Sequence, residues 1–146
     1  MGTILEFLGY GYRACDALFA AAEAAVAQKD WNRARSQFGR FQAAMARHLA
    51  REENVLFPAF ESATGNSMGP TQIMRMEHQQ IRDLIQSMAR AVADSNHGSS
   101  LSLSETLCIL MRQHNLKEET MLYPMSDQVL DSERDAVIRA MEAVAL

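Results

Sequence analysis

Apolar residues recur along the chain at alternating three- and four-residue steps, in four separate stretches. The first seam is Leu5, Leu8, Tyr12, Cys15, Phe19, Ala22, Val26. The second is Trp31, Ala34, Phe38, Phe41, Met45, His48, Glu52, Val55, Ala59. The third is Thr71, Met74, His78, Ile81, Ile85, Met88, Val92, and the fourth Leu107, Met111, His114, Glu118, Met121, Met125. Such steps put one stripe of each helix against its neighbours, with left-handed bundle packing. Breaks fall at Gln28–Asp30, where Asp30 suits an N-cap, and at Thr64–Pro70, where Pro70 suits the first position of a new helix. A further loop covers Ser95–Ser100, and Ser102 with Glu105 reads as a capping box. Pro124 is expected to close the fourth helix, and Ser132–Asp135 to open a short terminal one. The pattern predicts helices near 3–28, 31–62, 70–94, 103–123 and 132–144. Short connections make sequential helices antiparallel. The expected architecture is all-α: an up-down-up-down four-helix bundle with a short C-terminal helix, in one domain over residues 1–146.

Composition agrees with helices and narrows the function. Of 146 residues, 48% are hydrophobic and 22% charged, so a core can form without disulfides. Only 3 Pro and 7 Gly argue against a turn-rich β fold. A formal net charge of −4 without a basic run makes nucleic acid a poor partner. No long uncharged apolar run predicts a membrane span, and the first residues lack the basic region of a signal peptide. Cys15 and Cys108 make no disulfide framework, so the expected compartment is the cytoplasm.

The seams are apolar except at a few positions. His48 and Glu52 interrupt the second, His78 the third, and His114 and Glu118 the fourth, while Tyr12 is the polar member of the first. Buried charge needs a partner. Reflecting the seams through their connecting loops puts all six at one depth of the bundle. In His48-x-x-x-Glu52 and His114-x-x-x-Glu118 the two side chains face the same way, one turn apart. A His nitrogen and a carboxylate so placed can share one ion, and the second carboxylate oxygen can bridge to another. Nitrogen and oxygen donors suit iron or manganese, with zinc also possible. A lone seam histidine is usually a satisfied core residue, but a metal-free reading must bury two carboxylates without cationic partners. Glu53 and Glu119 lie off the seam, where a solvated or supporting role is expected. Gly9 and Gly11 are costly inside a helix and fit a bulge, a close approach or a loose first turn near Tyr12.

The block His48-Leu-Ala-Arg-Glu-Glu-Asn-Val-Leu-Phe-Pro58 resembles the hemerythrin-like (HHE cation-binding) family. So do Gly69-Pro70, the Glu77-His78 pair, and His114-Asn-Leu-Lys-Glu-Glu-Thr-Met-Leu-Tyr-Pro124. The resemblance spans residues 4 to 130. It implies two non-haem iron ions with an oxo or hydroxo bridge. His48 and Glu52 would serve one iron with a first-helix ligand. His78, His114 and Glu118 would serve the other, and both carboxylates would bridge. The family usually supplies a first-helix His, and Tyr12 stands in its place here. Tyr12 has three readings: a phenolate ligand and catalytic group, a hydrogen-bond donor beside the metal, or an ordinary tyrosine in an impaired site.

A phenolate would favour ferric iron and so oppose reversible oxygen carriage. The expected function is redox chemistry on peroxide, O2 or NO, in oxidative or nitrosative stress handling, with an unidentified redox partner. The alternatives are an O2- or NO-binding or sensing module without turnover, and an iron store or donor for iron–sulfur repair.

Overall fold

Each helix start and stop has a local cause. Thr3 caps α1 (Ile4–Ala27) by accepting from the Glu6 N–H at 3.0 Å. Asp30 caps α2 (Trp31–Arg51) through the Arg33 N–H. α3 (Phe57–Thr64) ends on Gly65, whose φ of 69° is left-handed. Pro70 opens α4 (Pro70–Ala93) at a position where its missing N–H costs nothing. Then come α5 (His97–Lys117), α6 (Tyr123–Val129), a 3-10 turn (Asp131–Glu133) and α7 (Arg134–Glu142). This computed structural model describes residues 2–145, and no strand occurs among them. No helix among them is long and apolar enough to cross a membrane. Gly65→Ala should cost about 1 kcal/mol, because a Cβ is disfavoured at that φ; urea unfolding would show it.

The fourth helix starts at His97, not near 103. Asn96 is the N-cap, accepting from the Ser99 N–H at 3.1 Å. Asn caps as well as Ser does, so the helix begins at the first opportunity. Ser102 and Glu105 lie inside it and form no capping box. Ser100 and Ser104 are buried in the bundle.

Two wide π-turns join the long segments: Glu52–Leu56 between α2 and α3, and Glu118–Leu122 between α5 and α6. In them the Phe57 N–H reaches Glu52 O and the Tyr123 N–H reaches Glu118 O. Each turn is followed by a proline, Pro58 or Pro124. In a regular helix the proline ring collides with the carbonyl four residues back. The wider turn relieves that collision, so the helix continues through Pro124 to Val129 instead of closing there.

A π-turn also inserts one residue, turning everything after it by about 100°. The buried stripe therefore slips by one position. Leu56 and Phe60 are buried where the even seam expected Val55 and Ala59. Leu122 and Ser126 are buried where it expected Met121 and Met125, which are 57% and 39% exposed.

α1 packs on α2 and α5, and α4 packs on the same two, closing a four-helix ring. The apolar interior lies in two blocks. One contains Phe19, Phe38, Phe41, Met45, Leu49, Ile81 and Met111. The other contains Ile4, Leu8, Leu56, Phe57, Met74, Leu122 and Tyr123, capped by Val137, Ile138 and Met141 of α7. The chain changes block between Leu8 and Cys15, between Leu49 and Leu56, between Met74 and Ile81, and between Met111 and Leu122; Tyr12, Glu52, His78, His114 and Glu118 lie in those intervals, with His48 directly before the second.

Candidate metal centre

Both π-turns begin on a carboxylate of the polar layer, Glu52 and Glu118, and both carboxylates are fully buried. His48 comes from α2, His78 from α4 and His114 from α5, and none is more than 4% exposed. Donor atoms of Glu52, His78, His114 and Glu118 all lie within 4.8 Å of one another. His78 Nε2 is 3.2 Å from Glu52 Oε1, and His114 Nε2 is 3.1 Å from Glu118 Oε1. His48 Nε2 stands further off, 3.8 Å from Glu52 Oε1.

Two of the imidazoles are anchored from behind. His78 Nδ1 pairs with Glu53 Oε2 at 2.7 Å, and Arg82 holds the same carboxylate with two 2.7 Å hydrogen bonds. His114 Nδ1 pairs with Glu77 Oε1 at 2.8 Å, and Lys117 pairs with that carboxylate too. A carboxylate on Nδ1 fixes the tautomer and leaves Nε2 as a free donor toward the centre.

The front atoms lack partners. His78 Nε2, His114 Nε2, Glu52 Oε1, Glu118 Oε2 and both nitrogens of His48 are buried without a hydrogen bond. Orphaned polar atoms are rare in native interiors and costly. Their convergence, with nitrogen and oxygen donors facing each other, fits a bound cation.

Tyr123 is the group sequence reasoning missed. Its hydroxyl, at the start of α6, stands 2.8 Å from Glu52 Oε2 and 3.0 Å from Glu118 Oε1. A phenol has one proton, so it cannot donate to both. Burial and the neighbouring Glu52 charge push Glu118 well above the ordinary carboxylate range. For Glu52, burial works upward, but Glu118, His78 and His48 outweigh it and hold the group low. The opposed shifts favour one proton shared by the metal-free pair, with Tyr123 Oη between Glu118 Oε1 and Glu52 Oε2, while Glu52 Oε1 and Glu118 Oε2 stay unpartnered. Burial, then the two carboxylates, push Tyr123 well above its usual range, so it stays a phenol.

Burial lowers His48 and His114. It works downward on His78 as well, but the carboxylates of Glu52 and Glu53 outweigh it and raise that group.

Tyr12 lies on α1, half-buried. Burial raises its pKa while Asn115 works downward, and Asp16, Cys108 and Glu119 surround it. On α1, Gly11 lies against His48: a Cβ there would lie 3.2 Å from His48 Nδ1. A close approach is thus what that glycine allows. Glu53 is the supporting group for His78, and Glu77 is the equivalent for His114. The sequence signal for Glu77 was its place directly before His78; for Tyr123 it was the repeated block, where Phe57 holds the matching position.

The family model described as Hemerythrin HHE cation binding domain matches residues 12–126. No curated protein and no solved structure matches the chain.

Proposed function

Because the chain belongs to the hemerythrin HHE cation-binding domain family, we propose that it is a cytoplasmic non-haem di-iron protein that performs redox chemistry on a small oxidant. The oxidant class is peroxide, O2 or NO. One observation carries this reading: two His-x-x-x-Glu units converge in a dry core with their donor atoms unpartnered. His48, Glu52, His78, His114 and Glu118 would hold the iron. When bound, iron supplies electrons to the oxidant.

The protein's own residues do the rest. Leu56, Phe57 and Leu122 on one side and Leu49, Ile81 and Met111 on the other exclude water. Tyr123 holds a proton at Oη, beside both carboxylates, where reduction of an oxidant consumes protons. Tyr12, with Asn115 as its polar neighbour, acts as a hydrogen-bond donor at the edge of the centre.

Iron-loaded protein should turn over hydrogen peroxide or NO faster than the same concentration of free iron, and His114→Ala should abolish the excess. No excess over free iron sinks the redox reading. A reversible O2 or NO spectrum without turnover would favour the binding module instead, and ready transfer of iron to an acceptor the storage role. Tyr12→Phe should leave the visible spectrum of aerobically purified protein unchanged. A broad band that this substitution abolishes would make Tyr12 a phenolate ligand.

A further inference from the structure

We propose that the centre is built in two unequal halves: Glu52, His78, His114 and Glu118 hold one metal ion tightly, and His48 holds a second, weak and exchangeable one. The inference rests on the metal reading above and concerns how the chain divides its ligands.

Four observations separate the halves. Glu52, His78, His114 and Glu118 gather their donor atoms within 4.8 Å, and His48 is not among them. His78 and His114 are fixed by carboxylates on Nδ1, and those carboxylates are themselves held by Arg82 and Lys117. His48 has no such anchor, and neither of its ring nitrogens has a partner. On the side where α1 faces His48, the chain offers Gly11, which has no ligand atom on a side chain.

The surroundings differ in the same sense. Gly11 also lines a cavity of about 300 Å³, shared with Phe7, Tyr10, Arg51, Ile138 and Glu142. Arg51, which also lines it, donates to Met141 O at 2.9 Å and lies over the Phe7 ring. Gly11 thus touches both His48 and this cavity, and no glycine stands in that way against His78 or His114. Losing the support of a ligating histidine typically costs about 10- to 100-fold in metal affinity. The second ion should bind weaker than the first by at least that factor.

Anaerobic titration of metal-free protein with Mn(II), followed by equilibrium dialysis and electron paramagnetic resonance, tests this. Two binding steps are expected, separated by about 10- to 100-fold or more. His48→Ala should remove the second step and spare the first, while His78→Ala should weaken the first. Gly11→Ala, whose Cβ would press on His48 Nδ1, should also weaken only the second step. Circular dichroism establishes that each variant is folded. Two ions entering with equal affinity, or loss of both steps in folded His48→Ala, overturns the proposal. Binding of no ion overturns the metal centre and this division with it. Two unequal steps in a protein that turns over neither peroxide nor NO leave the division standing and remove only the redox reading.

Discussion

Glu118→Gln should make the metal-free protein more stable at neutral pH by about 1–3 kcal/mol, and should abolish the extra stability that metal confers. The first effect follows from the proton on Glu118. In the unfolded chain a glutamate is ionised at pH 7. In the folded chain burial and Glu52 push Glu118 well above its ordinary value of 4.5. Folding without metal therefore favours proton uptake at Glu118, and leaving a buried polar group without partners costs about 1–3 kcal/mol. Glutamine is already neutral and about the same size, and its amide keeps Tyr123 and His114 within reach.

The sign gives a pH test. A raised carboxylate contributes stability below its unfolded value, near 4.5, and that contribution is lost as pH rises through the folded value. Wild-type metal-free protein should therefore lose urea resistance as pH rises above about 4.5, and Glu118→Gln should not. Glu53 acts in the opposite direction. Burial works upward on it, but His78 and Arg82 hold it at about 2, so its contribution exists above 4.5 and fades as pH falls. Both proteins should share that acid limb. With metal the order reverses: at 100 times Kd a ligand adds about 2.7 kcal/mol to the state that binds it, and only the wild type binds well. An unchanged alkaline slope in Glu118→Gln would mean that the shared proton lies elsewhere.

The same two carboxylates explain why some of the molecule was legible in the sequence and some was not. Up to Glu52 and Glu118 the helix period is regular, and the seams place His48, His78 and His114 in the core, where the structure has them. Past each glutamate the π-turn adds a residue, and an even period then points to the wrong face. Met121 and Met125 move to the surface and Tyr123 moves inside. Nothing in the residue types from Glu118 to Leu122 favours a π-turn by itself. The hint was the proline after each block, which an unbroken α-helix would not accommodate at that point. Read as a helix end, Pro124 hides the device that turns a phenol toward both carboxylates, and Pro58, placed inside the expected 31–62 helix, hides its counterpart. Tyr12 was legible as a polar seam residue. That Gly11 lies against His48 was not, since it depends on how α1 is rotated against α2.

Glu53→Ala should weaken the tight metal step about 10- to 100-fold without removing any of its ligands. His78 must present Nε2 as a lone pair, and the 2.7 Å contact of Nδ1 with Glu53 is what fixes that tautomer. Without the carboxylate the ring can turn, and its proton can move to the nitrogen that faces the centre. Arg82→Ala should cost less, because Glu53 keeps its contact with His78. Glu77→Ala should reproduce the loss through His114, which depends on Glu77 in the same way. Act of support and act of ligation are separable here by where the loss appears. Both carboxylates stand behind rings of the four-residue cluster, so their removal should lower the first Mn(II) step and leave the second, at His48, where it was. Equal weakening of both steps would mean that Glu53 and Glu77 act through the net charge of the centre rather than through the orientation of one imidazole each. No weakening would reduce the Glu53–Arg82 pair to a partly exposed ion pair of small worth.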